Sequence, residues 1–144
     1  MPDQGPHPQV SWDAGGEAPV PAQTVASLLR TLAASFVDLL PHEQGWLLST
    51  GLDAPSGLVS VRVVDAAGNV MSRSGPADGP AFEVRLMDLL QQIAIDHAWE
   101  ARPACPVDGH GHPLEPTSTG TGPGWKCPVT AWSCPVGEYA SRVR

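Results

Sequence analysis

With 144 residues and a formal net charge of −7, the chain has room for one compact domain, or a small domain with a smaller appendage. Its single lysine, Lys126, and seven arginines argue against a nucleic-acid binder, which needs a clustered basic face to displace counterions from phosphate. No basic leader with an apolar core opens the sequence and no apolar run reaches membrane length, so a cytoplasmic protein with a protein partner of basic character is expected.

Residues 1–20 are rich in proline and glycine, with Val10 and Trp12 as the only bulky apolar residues before Val20. Such a segment buries too little surface to offset its ordering entropy, and a disordered tail is expected. From Pro21 to Leu40 the pattern changes. Val25, Leu28, Leu29, Leu32, Phe36, Leu39 and Leu40 recur at helical spacing, and Pro41 stops the helix.

Strands follow. Trp46–Thr50 is short and apolar, and Leu58–Val64 is β-branched with Val59, Val61 and Val63 on one face. Residues Asp65–Asn69 read as a turn in which Gly68 or Asn69 takes positive φ, returning the chain into Val70–Arg73. A second helix is predicted over Ala81–Trp99, with Leu86, Met87, Leu90, Ile93, Ala94 and His97 inward and Gln91 among its outer residues. Residues 21–101 therefore make an α+β unit, a small antiparallel β-meander covered by two helices in the order α-β-β-β-α.

From residue 102 to 144 the chain is rich in Pro and Gly and poor in large apolar side chains. A segment this small needs a staple. All three cysteines lie here, an odd number that points away from a disulfide framework in a reducing compartment. Cys105, His110 and His112 form one cluster, Cys127 and Cys134 another, and a Gly/Thr-rich stretch that reads as a flexible loop separates them. Each cysteine is followed by proline, which stiffens the turn presenting its sulfur. Thiolate and imidazole suit one structural zinc ion. Five candidates compete for four places. One set is Cys105, His110, Cys127 and Cys134; the other is Cys105, His110, His112 and Cys127. The greater strength of a thiolate ligand tips the balance towards including Cys134. Two ligand groups separated by a loop resemble a zinc ribbon, although neither half carries a C-x-x-C knuckle.

No catalytic residues are assigned: H-E-x-x-H, H-x-E with P-C-x-x-C, and G-x-S-x-G are all missing from the sequence. The first helix ending in Leu39-Leu40-Pro41, the following Trp46, the Val61–Gly68 hairpin and the Leu89-Leu90 helix resemble small bacterial toxin-immunity proteins. That resemblance covers about half the chain and implies a stoichiometric, non-enzymatic inhibitor of a basic toxin domain. The functional expectation is a protein-binding protein with a structural zinc module from 102 to 144. A zinc-dependent hydrolytic enzyme and a structural component of a larger assembly are the alternatives.

Overall fold

Helix α1 (Ala22–Leu39) forms where the leucine stripe predicts it. Leu28, Leu32, Phe36 and Leu39 fall on one side of the cylinder and are buried, and burial of that stripe, more than intrinsic propensity, holds such a helix. The computed structural model describes residues 8–13, 20–53, 56–76, 82–107 and 111–143. Thr31 donates to Glu83 of the second helix at 2.8 Å, so a polar contact also links the two helices.

Strands β2 (Leu47–Asp53), β3 (Leu58–Val64) and β4 (Val70–Pro76) make the expected antiparallel meander, once β1 (Gln9–Asp13) is set beside it. Val59, Val61 and Val63 are fully buried. Arg62 is exposed, in keeping with side chains that alternate between the faces of a sheet. In the β3–β4 turn, Asp65 Oδ1 accepts the N–H groups of Ala67 and Asn69, both at 2.9 Å. Gly68, not Asn69, takes the positive φ.

The sheet has four strands, not three. Strand β1 pairs in parallel with the outer edge of β2, setting Val10 opposite Leu48 and Trp12 opposite Thr50. The expected disordered tail over residues 1–20 is thus corrected at Gln9–Asp13. Val10 and Trp12 alternate with Gln9, Ser11 and Asp13 and pack against the core. Two inward apolar residues suffice once a sheet edge supplies the backbone partners. Residues 1–7 and 14–19 of that tail lie outside the described residues. The observed order is β-α-β-β-β-α.

Helix α2 (Phe82–Ala98) buries Leu86, Met87, Leu89, Leu90, Ile93 and Ala94 as its spacing requires. Two of its polar residues exchange the expected roles. His97 is exposed, its ring meeting the edge or face of Trp46 at 5.0 Å. Gln91 is buried because both protons of its amide have carbonyl partners in the C-terminal segment, Arg102 at 2.9 Å and Leu114 at 2.6 Å.

That segment folds into a second antiparallel sheet, β5 (Glu115–Thr119), β6 (Gly122–Lys126) and β7 (Ser133–Pro135), followed by the short helix α3 (Tyr139–Arg142). The flexible loop expected in the Gly/Thr-rich stretch between the two clusters is corrected here: within it, Gly122, Pro123 and Gly124 belong to β6. A Cβ at Gly124 would stand 2.5 Å from the Cys134 carbonyl oxygen, so the bare backbone is what allows β7 to approach. Leu114, Trp125 and all three cysteines join one cluster of buried residues with the leucines of α1 and α2. Among the described residues, no helix is long and apolar enough to cross a membrane.

Candidate metal centre

Three ligand-bearing residues converge because two pieces of local pairing bring them to one place. Ala104 and Pro113 form an antiparallel bridge. On either side of it, Leu114 N–H donates to Pro103 O at 2.9 Å and Cys105 N–H to His112 O at 3.1 Å. Cys105 and His112 are therefore cross-strand neighbours. The β5–β6 hairpin does the rest. Glu115 pairs with Lys126, so the chain just before β5, carrying His112, runs beside Cys127 just after β6. The sulfurs of Cys105 and Cys127 and an imidazole nitrogen of His112 all lie within 4.8 Å of one another.

The atoms are oriented as ligands. His112 Nδ1 is 3.1 Å from the carbonyl oxygen of Pro113. A carbonyl cannot donate, so Nδ1 carries a proton there, and Nε2 is the nitrogen placed to act as a metal ligand. Nε2 faces Cys127 Sγ at 4.0 Å. A tetrahedral zinc ion, with bonds of about 2.3 Å to sulfur and about 2.0 Å to nitrogen, holds neighbouring ligand atoms roughly 3.5–3.8 Å apart. A small contraction of the group would thus seat the ion. A histidine ligand fixed by a carbonyl on its far nitrogen is the usual outer support of such sites.

The two Cys-Pro-Val turns prepare the sulfurs. Cys127 Sγ accepts the N–H groups of Val129 at 3.4 Å and Thr130 at 3.3 Å. Cys105 Sγ accepts from the Val107 N–H. Burial alone would raise the pKa of Cys127, but the Thr130 hydroxyl, these two N–H donors and the Cys105 thiol together hold it down to about 6. Cys105 moves the other way, pushed up by burial and by the neighbouring Cys127 sulfur against the pull of Val107. Without metal, the pair is best described as a thiolate on Cys127 receiving a hydrogen bond from the Cys105 thiol.

Cys134 sits elsewhere. It lies opposite Trp125 in the β6–β7 ladder, is buried, and does not belong to the group of three. Burial, reinforced by the charge on Asp38, raises its thiol to about 11. His110, the fifth candidate, lies outside the described residues. Cys105, His112 and Cys127 form the one group of three or more Cys, His, Asp and Glu donors found among the described residues.

Sequence reading missed the residues that hold the centre in place. Asp38 of α1 accepts from Trp125 Nε1–H at 2.8 Å, the Gly137 N–H at 2.6 Å and the Tyr139 N–H at 3.2 Å. Its burial raises its pKa against the lowering effect of these three donors. Gln91 plays the same part from α2. The only signal for Asp38 in the sequence is a carboxylate one residue before the buried Leu39, on a helix otherwise acid-free. Comparison with protein-family models, curated proteins and solved structures gave no match to this chain.

Proposed function

We propose that the protein is a non-enzymatic binding protein whose C-terminal segment is fastened by a structural zinc ion on Cys105, His112 and Cys127. One observation carries this reading: two thiols and an imidazole meet within 4.8 Å, with the imidazole proton turned away onto Pro113 O. The donor set itself favours zinc, because thiolate and imidazole suit a borderline-soft ion and exclude calcium and magnesium. The placement of Cys134 on β7 favours the ligand set that leaves it out. Zinc would join the end of the 103–114 ladder to the end of β6, the logic of a zinc ribbon, and its binding energy would count as folding energy.

The binding role draws support from the outer face of the four-stranded sheet. Leu47 and Val70 are exposed there, joined across the strands by Val64. The charge of −7 favours a basic protein partner, as the resemblance to immunity proteins also implies. Protein isolated with its thiols protected should hold roughly one zinc per chain. Cys105→Ser, His112→Ala and Cys127→Ser should each weaken zinc binding at least about ten-fold, while Cys134→Ser should not. Full retention of zinc by the Cys127→Ser variant would overturn the metal assignment. Native mass spectrometry of protein from its own source should show a basic protein in fixed ratio; a zinc-loaded chain that never carries a partner would overturn the binding role.

A further inference from the structure

We infer that Cys105 and Cys127 are also a redox pair, which a hydroperoxide converts to a disulfide with release of the metal. The inference rests on the zinc reading of the same site and adds its regulation.

The geometry separates two kinds of cysteine. Cys105 and Cys127 hold their sulfurs within 4.8 Å of each other, at the ends of two different ladders. Each is carried on a Cys-Pro-Val turn, not inside a regular strand, so a small movement of either turn can close the gap to bonding distance. Cys134 has neither property. It is locked in the β6–β7 ladder opposite Trp125 and lies outside the group. The same tripeptide, Cys-Pro-Val, thus occurs three times with two outcomes.

The chemistry is assigned within the pair. Cys127 Sγ receives two backbone N–H groups, the arrangement that stabilises a thiolate and makes it the attacking sulfur. Attack on the peroxide breaks the O–O bond, giving the sulfenic acid of Cys127 and hydroxide. The Cys105 sulfur then attacks the Cys127 sulfur and expels the second oxygen as hydroxide. From the zinc-loaded state, two thiolates and one hydrogen peroxide give one disulfide and two hydroxide ions, which solvent protonates to water. The disulfide sulfurs no longer carry the thiolate charge that holds zinc, so His112 alone remains and the ion leaves.

The test uses the full chain loaded with zinc, its metal content measured before oxidant is added. Hydrogen peroxide in the presence of a chromogenic zinc chelator should release roughly one zinc per chain. The mass should fall by about 2 Da, with peptides containing Cys105 and Cys127 linked and dithiothreitol restoring zinc uptake. The Cys134→Ser variant should behave the same way, which assigns the linkage to Cys127 within the peptide that carries both cysteines. Zinc at the start, followed by no linkage, or by sulfinic acid without linkage, overturns the redox pair and leaves the zinc reading standing. No zinc at the start overturns both.

Discussion

Cys127 and Cys134 show how little a residue's immediate neighbours in sequence decide about its chemistry. Both precede Pro-Val, both are buried, and the stronger ligand character of a thiolate argues equally for each. The fold treats them differently. Cys127 follows the last residue of β6 and gathers N–H donors that hold its pKa at about 6; Cys134 feels the charge of Asp38 and, mainly through burial, is raised to about 11. In metal-free protein, iodoacetamide labelling of Cys127 should therefore rise through pH 6 and level off well below the pH at which an ordinary thiol reacts. Because the folded value is depressed, the thiolate's contribution to stability is fully present above the ordinary thiol pKa and is lost as pH falls through about 6. Cys134 should stay unlabelled until the protein unfolds. Equal labelling of the two cysteines at pH 7 would contradict the assignment.

At the scale of elements, what was legible in the sequence was what periodicity controls. The leucine stripe of α1, the valine alternation of β3 and the apolar face of α2 place those elements where they form, because each buries a surface that its own spacing defines. The misses have a common physical origin: the deciding partner is remote in sequence. Strand β1 depends on the edge of β2. The glycines of β6 read as a loop until the Cys134 carbonyl oxygen appears where a Cβ would be. Gln91 reads as a surface residue until the carbonyls of Arg102 and Leu114 are set above it. Replacing Gln91 with leucine should lower stability by about 1–3 kcal/mol, the cost of leaving buried carbonyls without donors, measured by urea denaturation. An unchanged midpoint would show that the contact between α2 and the C-terminal segment is dispensable. The candidate site was legible to the same degree. Clustered Cys and His pointed to five candidates, with the balance tipped towards Cys134 and away from His112, whereas the Ala104–Pro113 bridge and the β5–β6 register bring Cys105, His112 and Cys127 together and set Cys134 apart.

Across the whole molecule, the two sheets share one set of buried side chains, in which Leu114 and Trp125 lie against the residues of the helices. Asp38 of α1 is one polar fastening of the helices to the C-terminal segment, as Gln91 of α2 is another, and it accepts three hydrogen bonds from residues 87 to 101 positions away. Asp38→Ala would strand Trp125 Nε1–H and two backbone N–H groups. It should cost about 3 kcal/mol or more and should weaken zinc binding as well, since ordering the segment and binding the ion are one equilibrium. Isothermal titration of zinc into the variant checks the second effect; wild-type affinity in a destabilised protein would separate the two. Chelation of zinc should likewise lower the urea midpoint of the whole chain in a single transition, not melt the C-terminal segment alone.

The most direct measurement is zinc K-edge X-ray absorption on the intact, thiol-protected 144-residue chain. Coordination by Cys105, Cys127 and His112 is expected to give a shell of two sulfurs at about 2.3 Å and a nitrogen or oxygen shell at about 2.0–2.1 Å, with Cys134→Ser leaving the sulfur count unchanged. A third sulfur that disappears in the Cys134→Ser variant, or a shell of light atoms alone, would contradict the assignment of the centre.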